Sequence, residues 1–306
     1  MLLKTPHAPT HIKSSATDKV LVGFSYAVVL LFVLIVLYPL IYVISCSVSD
    51  PVAVGAGRVV LFPQDVTLIG YRRVFQDKSI LTGYANTLFY TVAGTLINLL
   101  VTVPCGFSLA KNSLPGKRIF LFIFMFTMYF SGGMIPQFLL IRELGLYDTR
   151  WVLILLGAFN CYNCIICRTF FAAIPQELGE AASIDGCGTL QYFVQIVLPI
   201  SQALLGVMVL YFAVGHWNSY FGALMYTSSV ELKPLQLVLR NILVESQTSA
   251  AMLDSAGDEE YIAQQAMIAQ QIKYAVIVVS SLPMLMLYPF LQKYFVKGVL
   301  IGSVKG

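Results

Sequence analysis

The string CYNCIIC places three thiols at a spacing that could ligate an iron–sulfur cluster. Cys161, Cys164 and Cys167 follow one another at intervals of three residues, as cluster ligands do in some ferredoxins. The string lies in an apolar helical stretch with no fourth Cys-Pro partner nearby, and the same spacing stacks side chains along one helix face. Because buried cysteines behave as small hydrophobic residues, we predict that these thiols pack between helices and hold no metal.

A lysine after a Pro-Gly pair is the nearest approach in this chain to a phosphate-binding loop. That loop requires the pattern G-x-x-x-x-G-K-[ST], in which backbone N–H groups and the lysine hold phosphates and the hydroxyl binds Mg²⁺. Around Gly116 and Lys117, Lys111 replaces the first glycine and Arg118 replaces the hydroxyl. We therefore predict that this chain binds no cofactor, and that any ATP and Mg²⁺ bind another polypeptide.

Two further polar sites interrupt apolar segments. The residues Phe130-Ser131-Gly132-Gly133 lack the G-x-S-x-G context of a serine nucleophile, which disfavours an intramembrane enzyme. His216, followed by Trp217 and Asn218, interrupts another apolar segment. The apolar segments are otherwise nearly free of acidic residues, whereas ion-coupled transporters place carboxylates at membrane depth. An ion-coupled secondary transporter is thus an alternative function that the sequence disfavours.

The composition requires a membrane around most of the chain. Of the 306 residues, 58% are hydrophobic and 11% are charged, with a mean hydropathy of +0.79, whereas about a quarter of a soluble protein is charged. The net charge of +4 is not gathered into basic clusters with aromatics, so nucleic acid is not an expected partner. A membrane crossing takes about 20 apolar residues. We predict an all-α integral membrane protein with six transmembrane helices at 20–46, 82–110, 119–141, 151–172, 196–226 and 274–292.

The third of these segments is the least regular, because Ser131-Gly132-Gly133 and Pro136 interrupt it. Such breaks require neighbouring helices or polar partners for the freed backbone groups.

The positions of lysine and arginine predict that both termini are cytoplasmic. With that orientation the inner segments carry an excess of basic residues, and most outer basic residues lie in long loops, which count little. The predicted organisation is a cytoplasmic N-terminal segment at 1–19, a transmembrane domain at 20–292 and a cytoplasmic tail at 293–306. A polar loop at 173–195 is then cytoplasmic, and a long loop at 227–273 lies outside.

The cytoplasmic loop carries a spaced pattern that an ordinary connector does not need. The pattern is E-A-A, three residues, Gly, nine residues and I-x-L-P, and the sequence matches every fixed position. An acidic residue precedes the glycine, and a proline stands five residues before the pattern. The residues concerned are Pro175, Glu180, Ala181, Ala182, Asp185, Gly186, Ile196, Leu198 and Pro199.

The same loop predicts a short helix lying across the membrane surface. Pro175 suits the first turn of a helix, where its missing N–H costs nothing. Glu177 and Glu180 are favourable near a helix N-terminus. Gly186 can end the helix in a left-handed conformation, and Thr189 can cap the next helix. Such a helix is smooth enough to dock in a groove on a soluble partner.

This loop resembles the signature loop of the membrane subunits of bacterial ABC importers. The resemblance extends along nearly the whole chain and narrows to the oligosaccharide-uptake branch, which includes the maltose-type permeases of the type I fold. It is carried by the segments FPQDVTLIGY (62–71), NTLFYT (86–91), MIPQFLLIRELGLYDTRWVLIL (134–155), WNSYFGALMY (217–226) and YPFLQKYFVKGVLIGSVKG (288–306).

The resemblance implies a subunit that transmits force and performs no chemistry. The seven fixed residues of the pattern, together with Pro175 and Asp185, would couple it to ATPase subunits, and the chain would lie in the bacterial plasma (inner) membrane. The implied partners are a second, different permease subunit, two ATPase subunits, an extracellular or periplasmic sugar-binding protein, an oligosaccharide substrate and membrane lipid.

Trp217, Asn218 and Tyr220 are candidate residues of the sugar path. Aromatic faces and amides suit sugars, although an interfacial aromatic belt would also gather Trp and Tyr. In the maltose-type systems that the chain resembles, the partner permease makes most sugar contacts. We expect the long loop at 227–273 to meet the sugar-binding protein; the alternative is that it packs only on permease subunits.

Overall fold

The part of the chain that the structure describes is built from helices. A computed structural model describes residues 15–252 and 271–289. The helices in chain order are α1 (Ala16–Ser47), α2 (Pro51–Gly55), α3 (Ile69–Gln76), α4 (Lys78–Ala110), α5 (Lys117–Tyr129), α6 (Met134–Glu143), α7 (Arg150–Leu155), α8 (Cys161–Ala172), α9 (Gln176–Ile184), α10 (Thr189–Tyr192), a π-helix (Phe193–Val197), α11 (Leu198–Ile200), α12 (Gln202–Trp217), α13 (Phe221–Tyr226), a 3-10 helix (Val230–Leu232), α14 (Leu235–Met252) and α15 (Gln271–Pro289).

Helix α4 is the central element of the bundle. It begins after Asp77, whose side chain accepts a hydrogen bond from the N–H of Ser79 at 2.8 Å. Helices α8, α12 and α14 all pack against it. The crossing with α8 is close, because a Cβ on Gly106 would lie 2.5 Å from the Cβ of Cys167. Cys164 and Cys167 are fully buried at this crossing, so these two thiols pack between helices as predicted.

Helix α1 projects away from the rest of the chain. None of its most apolar stretch is buried. Its C-terminal end packs against the bundle through Tyr42 and Cys46, which meet Val54 and Tyr274. A helix that is apolar around its whole circumference requires lipid or another chain around it.

Three predicted spans correspond to single helices that are long and apolar enough to cross a membrane. The spans at 20–46, 82–110 and 274–292 match α1, α4 and α15, the last of which is described as far as Pro289. The other three predicted spans are broken. Three to five of the described helices or bent helix pairs satisfy the length and composition of a crossing.

The interruption expected in the third span is present. Helices α5 and α6 meet at 113°, and the turn between them includes Gly133 with a φ of +87°, a conformation that favours glycine. Pro136 lies in the first turn of α6, where its missing N–H is tolerated. The two halves of 119–141 therefore do not form one straight helix.

The fourth and fifth predicted spans were wrong as continuous helices. At 151–172, α7 ends at Leu155 and α8 begins only at Cys161. At 196–226, the chain bends by 83° between Ile200 and Gln202. Residues 196–200 therefore belong to the helical segment Thr189–Ile200 and not to α12. Apolar composition alone does not predict these breaks, because apolar residues occur both within membrane helices and at the points where such helices are interrupted.

The loop at 227–273 is ordered in its described part. The N–H of Leu235 donates to the Oγ1 of Thr87 in α4 at 2.8 Å, and Leu235 and Leu237 are buried in α14. The part of this loop at 253–270, the segment 1–14 and the tail at 293–306 lie outside the described residues.

Candidate functional site

The spaced pattern begins on a short surface helix, α9. Pro175 is its N-cap residue, one position before the first turn in which it was expected. Glu177 lies in that first turn, where a carboxylate is favourable because the helix N-terminus carries partial positive charge. Ala182 is 5% exposed and holds the helix against the protein.

Gly186 ends α9 in the left-handed conformation that the sequence predicted. Its φ is +75°, and its N–H donates to the carbonyl of Ser183 at 3.1 Å. The N–H of Cys187 donates to the carbonyl of Ala182 at 2.8 Å. These two bonds form a Schellman motif, which satisfies carbonyls that would otherwise lack partners. Thr189 is the first residue of α10 and Gly188 its N-cap, so the prediction that Thr189 caps this helix was wrong.

The outer face of α9 combines small, acidic and aliphatic residues. Glu180, Ala181 and Asp185 are exposed. Ile184 is 86% exposed and Leu178 is 42% exposed, which is unusual for aliphatic side chains on a polar surface. Exposed apolar side chains next to carboxylates form a surface suited to docking. Ile184 was not among the residues selected from the pattern, because its position is not fixed in it.

An aromatic cluster ties the segment that follows this surface helix to the bundle. The ring of Phe107, at the end of α4, is tilted by 33° against that of Phe193 with centroids 4.7 Å apart, and it lies edge-on to Phe171 of α8 at 5.9 Å. Tyr192 joins the cluster at 6.2 Å from Phe107. Closely packed aromatic rings resist relative displacement. The cluster therefore fixes Tyr192 and Phe193 against α4 and α8.

The I-x-L-P part of the pattern forms the hinge between loop and bundle. Ile196 lies in the π-helix, and Leu198 and Pro199 follow it in α11. The N–H of Leu198 donates back to the carbonyl of Phe193, five residues earlier. Since Pro199 has no N–H, the regular helical ladder cannot continue through it, and a π-turn with an 83° bend at Ser201 replaces it.

The three sugar-path candidates border a cavity of about 660 Å³ beside α14 and α15. Trp217 is 2% exposed, and its Nε1 donates to the carbonyl of Ser280 at 3.0 Å. Its ring also lies edge-on to Tyr84. Asn218 and Tyr220 are exposed. In this conformation the indole is closed off by protein, so that only the other two residues are open to a ligand.

A second cavity, which we call the polar cavity, lies on a different face of α12. It measures about 310 Å³ and opens at the break between α7 and α8. Sequence reasoning selected none of its residues as a site, because they come from segments far apart in the chain. Its polar side chains are Asn98, Asn160, Asn163, Tyr211, His216 and Ser219.

Comparisons with known proteins agree with this architecture. Residues 78–301 match the family described as "Binding-protein-dependent transport system inner membrane component". Protein LplC of Bacillus subtilis (strain 168) is 41% identical over 273 residues, covering 89% of this chain and 90% of LplC. The polygalacturonan/rhamnogalacturonan transport system permease protein YtcP of the same organism is 38% identical over 295 residues, covering 96% and 100%.

A solved structure shares both sequence and fold with this chain. It is a chain from a bacterial ABC transporter involved in the import of the acidic polysaccharide alginate, with a TM-score of 0.81 and 37% identity. The match covers 93% of this chain and 99% of that one. These findings give no support to the ion-coupled alternative.

The matched segment 78–301 includes α9, its left-handed end and the proline hinge, in addition to the apolar helices of the bundle. The chain belongs to the family of binding-protein-dependent transport system inner membrane components, and it is a membrane-embedded permease of the type I ABC importers.

Proposed function

We propose that this chain is one of two different permease subunits of an importer that brings oligosaccharides into a bacterial cell. The observation that carries the proposal is α9, an exposed surface helix that ends at Gly186 and is followed at once by a segment packed through aromatic rings against α4 and α8. The names of YtcP and of the alginate transporter refer to polysaccharides, which supports a carbohydrate as the cargo.

In this proposal ATP hydrolysis takes place on two separate ATPase subunits that bind ATP and Mg²⁺. Each ATPase would receive a surface helix in a groove, and Ile184 and Glu180 of α9 would occupy it. Closure of the ATPase pair would move α9, and the cluster around Phe107 would carry that movement to α4 and α8. This subunit would catalyse no reaction of its own.

The proposed topology has six crossings with both termini in the cytoplasm of the plasma (inner) membrane. The pair α5–α6, the pair α7–α8 and the bent segment through α12 would each count as one crossing. Thiol labelling from outside at cysteines introduced at 55, 145 and 250 should succeed, and cysteines at 114 and 180 should stay protected. External labelling at position 180 would contradict the docking role of α9.

The outer part of the chain is proposed to receive the cargo. Asn218 and Tyr220 would border the sugar path, with Trp217 fixing their position from the protein interior. The loop at 227–273 would meet the sugar-binding protein. Deletion of residues 246–257 should lower the ATP hydrolysis that the binding protein stimulates; unchanged stimulation would mean that the loop is structural.

Reconstitution of the complete complex tests the proposal. The two permeases, the ATPases and the binding protein are placed in proteoliposomes, and uptake of radiolabelled oligogalacturonides, alginate oligosaccharides and maltooligosaccharides is measured. We expect ATP-dependent uptake of at least one class, unaffected by an ionophore that dissipates the proton gradient. Uptake that needs the gradient, or no uptake of any class with a complete complex, would refute it.

A further inference from the structure

The polar cavity lies near the middle depth of the bundle. Asn98 is separated from the cytoplasmic end of α4 at Ala110 by about 18 Å along the helix axis. The hydrocarbon core of a bilayer is about 30 Å thick. Polar groups without partners are not tolerated against lipid at that depth, but they are tolerated where they line a water-filled path. The cavity therefore faces a path or another chain.

Hydrogen bonds fix the orientation of the groups on one wall of the cavity. Asn98 Nδ2 donates to the carbonyl of Gly157, because that oxygen can only accept. Asn98 Oδ1 then faces His216 Nε2 at 2.7 Å, so that Nε2 must carry a proton and donate. The neutral imidazole keeps Nδ1 as an acceptor. Gly94 leaves room for this arrangement, since a Cβ there would collide with the imidazole ring.

Asn163 provides an independent observation that points to a ligand. Its side chain is 8% exposed and borders the cavity. Its backbone N–H bonds the Oδ1 of Asn160 at 3.0 Å, but its side-chain amide makes no hydrogen bond to any other described residue. Neither amide atom is among the fully buried side-chain atoms of the described residues that lack a partner, so the amide reaches the cavity, where a ligand can bond it.

The chemistry of the lining selects the class of ligand. The described lining residues offer amide, imidazole and hydroxyl groups, and none of them is charged. Neutral donors and acceptors suit the hydroxyl groups of a sugar ring, and any carboxylate on that ring would have to point away from this uncharged lining. A volume of about 310 Å³ stands at the small end of ligand pockets.

We propose that the polar cavity is a sugar-binding subsite of this subunit, where Asn163 and His216 hydrogen-bond the hydroxyl groups of one ring of the passing oligosaccharide. The inference rests on the proposed function. It differs from the expectation that the partner permease makes most sugar contacts. Asn98 and Gly94 act as positioning residues, because they hold His216 in one orientation.

The variant Asn163→Leu separates a binding role from a structural one. Since the amide of Asn163 bonds no described protein group, replacing it with an apolar side chain of similar size removes no internal hydrogen bond and should leave the complex stable. Uptake of the transported probe from the oligogalacturonide, alginate and maltooligosaccharide panel should fall about three- to tenfold, as expected for one neutral hydrogen bond. Binding-protein-stimulated ATP hydrolysis should persist.

Thr169→Val on the same helix is the matched control. Thr169 is exposed, bonds the carbonyl of Ile165 at 2.9 Å and does not border the cavity, so this variant should transport normally. If the wild type takes up a probe and Asn163→Leu takes it up equally well, the subsite is overturned and the proposed function stays intact. Absence of wild-type uptake would instead refute the proposed function. If Asn163→Leu lost binding-protein-stimulated ATP hydrolysis together with uptake, the residue would have a coupling role and the subsite would be refuted.

Discussion

The α9 surface and the polar cavity are organised in opposite ways. The α9 site lies within about 25 consecutive residues, and its geometry follows from local rules such as a left-handed glycine and a proline hinge. The polar cavity brings Asn98 of α4 against Gly157 and His216, which stand 59 and 118 residues away in sequence. A site that meets a partner protein from outside can be a linear segment, whereas a site inside a bundle has to be assembled by packing.

The largest expected effect comes from the conformation that ends α9. Gly186→Val should abolish uptake, because valine is strongly disfavoured at a φ of +75° and the helix would be reoriented. Gly188→Val is the matched control: a Cβ meets nothing within 4 Å at either glycine, but Gly188 has a φ of −69°. Uptake in proteoliposomes and co-purification of the ATPase measure the difference. Equal uptake and equal ATPase co-purification by the two variants would contradict the role assigned to Gly186.

The second effect concerns the packing of the polar cavity. Gly94→Ala should displace the imidazole of His216 and break its bond to Asn98, lowering both uptake and the thermal midpoint of the complex. Gly23→Ala on the exposed α1 meets nothing within 4 Å and should be neutral or slightly stabilising, since alanine is the better helix former. If Gly94→Ala has the same uptake and thermal midpoint as Gly23→Ala, the packing of His216 against Gly94 contributes to neither transport nor stability.

The third effect tests whether α9 meets its partner through an aliphatic contact. Ile184→Ala should weaken ATPase binding by about tenfold, which corresponds to roughly 1.4 kcal/mol, without lowering the stability of the isolated permease, because the side chain is 86% exposed. Ile119→Ala replaces an isoleucine that is 65% exposed but lies on α5, outside the loop. Binding of purified ATPase to permease in nanodiscs gives the affinity. Equal affinities for the two variants would exclude Ile184 from the contact.

These two regions also show what a sequence can predict. The helix at α9 and the turn at Gly186 were predicted, because the conformation of each residue there depends on its immediate neighbours. The break after α7 was not, since the apolar composition of 151–172 does not mark it, and Asn98, which bonds the carbonyl of Gly157 there, is 59 residues away. The burial of Trp217 was not predicted for the same reason: its partner, the carbonyl of Ser280, is 63 residues away.

The smallest expected effect comes from a contact that belongs to neither the α9 surface nor the polar cavity. Asp148 has a φ of +56° and links the α6–α7 turn to the start of the loop at 227–273. Its Oδ2 accepts from the hydroxyl of Ser229 at 2.6 Å, and its Oδ1 accepts from the N–H groups of Ser228 and Ser229 at 2.9 Å. The hydroxyl of Ser229, followed by these N–H groups, lowers the pKa of Asp148 to about 2.

Because the folded pKa of Asp148 is below the unfolded value of about 3.9, its stabilising contribution is present above that value and is lost as the pH falls toward about 2. Asp148→Asn should therefore lower the thermal midpoint slightly at pH 7, and the difference from wild type should shrink between about pH 4 and pH 2. Transport should be unchanged, since the side chain borders neither cavity and asparagine keeps a side-chain oxygen that can accept hydrogen bonds from the loop. A difference in midpoint that stays constant down to pH 2 would show that the carboxylate charge contributes nothing to this turn.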